Sequence, residues 1–583
     1  MRATYRTLYS MNQTRTFLLL GLLLVAYLLW TGWEQQFNVP PAPPPPTASA
    51  GSLAPQASAA PAPVGAMPSM PVATAKAATP AATLLPGSGG AHGQRIAVHT
   101  DLLDVTLDTA GGALVQARLL KYAVAPEAAP RVSLLDDSAN HYLVAQSGLV
   151  SNSAGAAPAV DAPFKAAHSS YTLAAGQKQL NVDLTWSDPA QGVAVIKRYT
   201  FTRGSYVVQV QEQVHNLGKT PWTGNAWTQL VRTAPPAPAA SHFFFLHDPS
   251  EYYSFTGGSW YSPQDKFNKL AFDEFAKQPL LRTVQDGWVA FVQRYFVAAW
   301  IPARGGNAQF SSATFDVGGV PHYLLRSIGP AFSVAPGASV TQRMSLFIGP
   351  KLEHALNAAA PGLELSVDYG IFTVISQPLH WVLVQLHRIT RNWGLAIILL
   401  VVLIKAAFYW LSDKQYRSFA KMRKLAPRIK ALQARYADDK PKMQQAMMEL
   451  YQKEKANPVA GCLPMLVQIP VFFALYPVLI ESVELRQAPF ALWIHNLSAP
   501  DPYYVLPVLY AAVMLAQQML TPAVGMDPTQ AKIMKAMPIL MAFFFAQFPA
   551  GLVLYYITNS VLGLLQQWYV TRQVMRADAA KTD

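Results

Sequence analysis

Six apolar runs, at residues 16–33, 393–411, 463–482, 503–520, 533–548 and 552–570, constrain this chain more than anything else in its 583 residues. Each approaches the ~20 residues that a helix needs to cross a bilayer, although the fifth is shorter. The composition agrees: 51% of residues are hydrophobic and only 13% charged, against roughly 25% charged in an ordinary soluble protein. A polytopic helical membrane protein with six transmembrane helices is the expectation.

The formal charge of +13 would suit a nucleic-acid partner if it were spread over one surface, but it lies beside the spans. Between Ser412 and Asn457 there are 12 Lys/Arg against 5 Asp/Glu, whereas the loop from Arg486 to Asp501 has a single Arg. Basic loops stay in the cytoplasm, so 412–457 is expected inside and 486–501 outside. Arg2, Arg6 and Arg15 start the chain inside, and six crossings return Arg572 and Arg576 to the same side. Phe17 to Trp30 is short enough for a signal-peptide core, yet no small-x-small site follows closely. An uncleaved anchor is expected, with cleavage near Ala48-Ser-Ala50 as the alternative. The single Cys462 excludes an intrachain disulfide.

These features divide the chain into an anchor (1–33), an Ala/Pro-rich linker (34–94), a β domain (95–350), a connecting and interfacial helical segment (351–391), a helical core (392–572) and a short tail (573–583). The linker, with Pro43-Pro-Pro-Pro46, cannot build a core. Residues 95–350 hold short β-branched and aromatic runs between turn residues; Tyr206-Val-Val-Gln-Val-Gln-Glu-Gln-Val alternates clearly, as in a sandwich or barrel. Trp260 and Tyr261 could stack on a sugar, but aromatics in such a domain are more often core. From Val374 to His387 an apolar stretch interrupted by Gln377, His380, Gln385 and His387 suits a helix lying in the outer interface. Its histidines are seven apart and predict no metal site.

Lys405 is the anomaly in the second run. A charge in hydrocarbon is costly and usually functional. Helical rise puts it roughly 20 Å from Asn392 and roughly 10 Å from Ser412, so snorkelling to the nearer interface is the simple alternative. Gln468, Tyr555, Tyr556, Asn559, Gln566 and Gln567 also enter spans. The one acidic residue in a span, Glu481, is at the wrong depth to pair with Lys405, which favours a water-filled pocket. Beyond the second run Lys414, Arg417, Lys421, Lys424 and Arg428 form one helical face beside the apolar stripe Leu425, Ile429, Leu432 and Tyr436. Pro427 is expected to kink or interrupt this helix. A second helix, Met443 to Lys455, completes a cytoplasmic hairpin (412–460). The hairpin is either a solvated consequence of charge placement or a docking surface for lipid headgroups, ribosomal RNA or acidic nascent chains. Met534, Met537, Met541, Phe544 and Phe548 share a stripe in the fifth span.

Several segments resemble the YidC membrane-protein insertases of Gram-negative inner membranes: Val367-Asp-Tyr-Gly, Ile375-Ser-Gln-Pro-Leu, Asn392-Trp-Gly, Phe419-Ala-Lys-Met-Arg, Asn457-Pro-Val-Ala-Gly-Cys-Leu-Pro464, Ser482-Val-Glu-Leu-Arg-Gln-Ala-Pro-Phe-Ala-Leu-Trp-Ile-His, Phe548-Pro-Ala-Gly-Leu-Val-Leu-Tyr-Tyr556 and Gly287-Trp-Val-Ala-Phe-Val-Gln-Arg-Tyr-Phe-Val-Ala-Ala-Trp-Ile-Pro302. The resemblance implies a five-helix insertase core with an extra anchor, and a periplasmic all-β supersandwich domain similar to sugar mutarotases. It implies a hydrophilic groove open to the cytoplasm, lined by Lys405, Gln468 and Tyr556, and a hydrophobic slide of Leu466, Phe472 and Phe544. Where the family usually has Arg, this chain has Lys405, which keeps charge but loses bidentate hydrogen bonding. Where a related bacterial insertase has a substrate-contacting Thr, this chain has Val401. The implied partners are nascent membrane proteins, Sec translocon components, the ribosome and anionic lipids, with no DNA and no cofactor. No phosphate-cradling loop or nucleophile constellation appears. A small-solute transporter and an envelope sugar-binding protein are the rival readings. The first should show repeated spans or paired broken helices, and none is visible.

Overall fold

The structure, a computed structural model, describes residues 93–125, 130–139, 141–152, 156–235, 254–436, 439–454, 463–520 and 528–579. The expected first span and proline-rich linker lie outside them, as do Cys462 and the side chains of Met534 and Leu466.

From Arg95 to Pro350 the chain builds two large, almost wholly antiparallel sheets, of ten and nine strands among the described residues. Alternation drives the pairing: Val208, Val210, Glu212 and Val214 are buried along Val207–Asn216, with the residues between them more exposed. The sheets share one apolar core containing Tyr199, Trp288, Phe291, Trp300 and Phe347. Trp288–Val292 and Phe296–Ile301 are buried at every position, as continuous apolar strands covered on both faces must be. One ion pair is sealed inside. Lys197 and Glu212 are cross-strand partners, 3.3 Å apart and essentially unexposed, and the ammonium also donates to Ser147 O (2.6 Å) and Gly111 O (2.9 Å).

Helix α1 (Glu353–Ala359) and helix α2 (Thr373–Thr390) connect the sandwich to the bundle. Helix α2 buries Ser376, His380 and Leu383 and turns Val374, Trp381 and Ile389 outward. The bundle comprises α3 (Trp393–Ala407), α4 (Tyr409–Arg435), α5 (Lys440–Lys453), α6 (Leu463–Glu481), α7 (Val505–Leu520), α8 (Pro528–Phe545) and α9 (Ala550–Ala579). Helix α9 packs against α3, α4 and α7, while α6 packs against α2. Asn392 explains the start of α3: its side chain accepts from Leu395 N at 3.0 Å and donates to Phe490 O at 2.8 Å. Gly394 leaves room for the Phe490 ring, which lies 2.0 Å from where a Cβ would stand.

Two local expectations are corrected. The run at 393–411 is not one straight helix: it breaks at Phe408, where α3 and α4 meet at 71°. Of the two outcomes expected at Pro427, interruption does not occur: α4 runs through it to Arg435. Helix α5 begins three residues earlier than expected because Asp439 caps it, accepting from Lys442 N at 3.1 Å. No single helix among the described residues is both long and apolar enough to cross a bilayer unaided; α3 and α4 meet that length and composition only as the bent pair.

Candidate functional site

The bend at Phe408 sets the environment of Lys405. Instead of lying within a straight span, the lysine occupies the last turn of α3, where carbonyls lacking helical donors carry partial negative charge. It lines a small, partly open cavity of about 50 Å³ with Ser412, Gln415 and Tyr416 of α4, Gln468 of α6 and Asn559 of α9. Ile404, Phe408, Leu411 and Val471 complete the wall. Among the described residues, no carboxylate lies within ion-pair distance of the Lys405 ammonium. The cavity therefore combines a cation with hydroxyl and amide groups, a set suited to water and to a carboxylate.

Tyr556 is one turn along α9 from Asn559 and does not line this cavity. It sits in an aromatic cluster, with ring centroids 5.3 Å from Phe472, 4.5 Å from Phe545 and 5.8 Å from Tyr510. Phe544 continues the cluster at 4.8 Å from Phe548 and is half exposed. Polar cavity and aromatic surface thus adjoin through consecutive turns of α9. Val401 is buried in the apolar core.

Ser412, Gln415 and Tyr416 were missed in the sequence because they follow the apolar run and read as the start of a cytoplasmic helix. A signal existed, since Lys405, Ser412 and Tyr416 are spaced seven and four apart. The basic side chains of α4 are all exposed, but they are not equivalent. Arg417 pairs with Asp413 and Arg428 with Glu454, each at 2.7 Å, and the Lys414 ammonium lies 3.6 Å above the Trp410 ring. Leu425 and Ile429 pack against Met447, Leu450 and Tyr451 of α5.

A second polar cluster, unforeseen in the sequence, joins the sandwich to the outer end of α6. Lys351 pairs with Glu481 at 2.9 Å, both nearly unexposed, and donates to Ser366 O at 3.2 Å. Ser254 Oγ also donates to Glu481. Nearby, His380 Nδ1 lies 3.3 Å from Glu353 and Nε2 3.8 Å from Glu484, ion-pair distances without hydrogen-bond alignment. Burial acts to lower the His380 pKa, but the two carboxylates outweigh it and raise it to about 9. His387 instead stacks on Trp393 at 3.9 Å.

A β-sandwich joined by a buried ion pair to an apolar helical bundle, with a lysine-lined polar cavity inside that bundle, defines a class: helical membrane proteins carrying a large extramembrane β domain. Family models agree, with residues 95–382 matching the YidC periplasmic domain and 385–578 matching the 60Kd inner membrane protein. The chain is 42% identical over 577 residues to the membrane protein insertase YidC of Thioalkalivibrio sulfidiphilus, covering 97% of this chain and 99% of the relative. It is also 42% identical to that of Pseudomonas fluorescens, covering 98% and 99%. A crystal structure of an active YidC insertase with its first transmembrane domain resolved aligns over 82% of this chain and 92% of its own, at 18% identity and a TM-score of 0.37. The chain belongs to the YidC family of membrane protein insertases, bacterial inner-membrane proteins with a periplasmic β-rich domain.

Proposed function

We propose that this protein inserts nascent inner-membrane proteins without covalent chemistry, alone or with the Sec translocon. The observation carrying this reading is the polar cavity at Lys405, set in an apolar bundle and adjoining an aromatic surface. A wet cavity shortens the hydrocarbon path for a polar segment. The ammonium of Lys405 attracts acidic residues of that segment, while Gln468 hydrogen-bonds its backbone. The apolar helix that follows leaves along Leu466, Phe472, Tyr556 and Phe544 into lipid, driven by about 25 cal/mol per Å² of apolar surface removed from water. Membrane potential assists acidic tails by roughly 2.3 kcal/mol per charge per 100 mV.

In this reading the chain crosses the membrane six times with both termini cytoplasmic. Lys414, Arg417, Lys421, Lys424 and Arg428 face the ribosome, anionic lipids or the emerging chain. The test is photocrosslinking of a stalled single-span nascent protein to probes at positions 405, 466, 472 and 556, with lipid-facing positions 508 and 539 as controls. Labelling at the first four and not at the controls supports the groove; equal labelling at all six overturns it.

A further inference from the structure

Gly563 stands in the middle of α9, where glycine weakens a helix relative to alanine and so calls for a reason. Helix packing supplies one elsewhere in the bundle. A Cβ at Gly394 would fall 2.0 Å from the Phe490 ring, and one at Gly551 would fall 3.1 Å from Leu497 O. At Gly563 the neighbours are of another kind: Tyr416 Oη at 3.2 Å, Lys405 Nζ at 3.6 Å and Gln517 Nε2 at 3.9 Å. These are the polar ends of side chains from α4, α3 and α7, converging on one buried glycine. Two of them, Lys405 and Tyr416, also line the cavity.

We infer that Gly563 is a positioning residue for insertion: its bare face seats the Lys405 ammonium and the Tyr416 hydroxyl against α9, which keeps the cavity open beside them. Side-chain size at position 563 then sets how much room a substrate carboxylate has next to the ammonium. A methyl presses on the Tyr416 oxygen, closer than ordinary contact, yet clears Lys405. A leucine cannot share the space with either head and drives both into the cavity. The inference rests on reading Lys405 as the partner of acidic substrate residues. It adds that the partner's placement is decided from α9, by a residue that itself carries no polar group.

The test uses the full chain reconstituted in vesicles, with two single-span substrates differing only by Asp or Asn in the translocated tail. Gly563→Leu is expected to lower insertion of the Asp substrate by about tenfold and of the Asn substrate by less than about twofold. Gly563→Ala should give a smaller loss confined to the Asp substrate. Pairing Gly563→Ala with Tyr416→Phe, which removes the crowded oxygen, should return insertion to the level of Tyr416→Phe alone, a coupling that general helix damage would not produce. Thermal unfolding of each variant in detergent accompanies the assay, and the Gly563→Ala pair carries the test if the leucine variant does not fold. Equal losses for both substrates, or no coupling with Tyr416→Phe, overturn the inference. If the parent protein handles Asp and Asn tails alike, the role of Lys405 falls first. If the parent discriminates and Gly563→Leu leaves that discrimination intact, only the role of Gly563 falls.

Discussion

Lys351 at the end of the β-sandwich and Glu481 at the outer end of α6 form an ion pair 2.9 Å long from which solvent is almost excluded. The two residues are 130 positions apart, so the pair joins the periplasmic domain to the helix that carries Gln468 and Phe472. Two neighbouring contacts reinforce the joint: Arg486 donates to Val124 O and Gln487 to Ala123 O, each at 3.1 Å.

Removing one partner strands the other charge in a dry interior. Glu481→Leu and Lys351→Met should each cost about 3–5 kcal/mol, while the two together recover most of that loss. Thermal unfolding of the detergent-solubilised protein measures all four members of the cycle. Additive losses in the double variant would show that the two side chains are not coupled.

His380 gives the same junction a pH dependence with a defined sign. Its folded pKa near 9 exceeds the ordinary 6.5, so the stabilisation is complete below about pH 6.5 and disappears as pH rises toward 9. A shift of this size corresponds to about 3 kcal/mol. The groups facing the imidazole are Glu353 of α1, Glu484 after α6 and the Tyr369 ring at 6.0 Å. Melting temperature should fall between pH 6.5 and 9 in the parent protein and vary less in His380→Phe. Identical slopes in the two proteins would remove His380 as the cause.

Much of this was legible in the sequence for physical reasons. Period-two alternation along Tyr206 to Val214 and uninterrupted apolar runs announce strands and buried helices directly, because burial acts on each residue where it stands. Lys405 and Gln468 were conspicuous because polar groups in such runs are expensive. The junction was not legible. Lys351, Glu353 and Glu481 stand at element ends and His380 inside α2, and only tertiary proximity brings them together as ion pairs. The bend at Phe408 was hidden as well, since hydropathy does not distinguish a straight 19-residue helix from a 15-residue helix that turns into an aromatic interface.

At Lys405 the quantity to test is charge against geometry. Lys405→Arg should retain insertion of acidic-tailed substrates, whereas Lys405→Glu should reduce it by about tenfold or more, about 1.4 kcal/mol in the rate-limiting barrier. Substrates with uncharged tails should change little in either variant. Rates measured in reconstituted vesicles decide this, and a Lys405→Glu protein that inserts acidic tails normally would exclude an electrostatic role.

The hairpin separates stability from docking within one helix, at adjacent positions. Ile429 is fully buried between Leu425 and the α5 side chains Met447, Leu450 and Tyr451. Ile429→Ala should therefore cost about 2–5 kcal/mol of local stability, read as faster amide exchange throughout α5. Arg428, next to it, makes an exposed pair with Glu454, and such pairs contribute about 0–1 kcal/mol. Arg428→Glu combined with Lys421→Glu and Lys424→Glu should leave amide exchange in α5 nearly unchanged while weakening attachment to vesicles rich in anionic lipid, with a shallower dependence on salt. If the triple variant instead accelerates exchange as much as Ile429→Ala, the basic face is structural. If it does neither, these charges only mark the cytoplasmic side of the membrane.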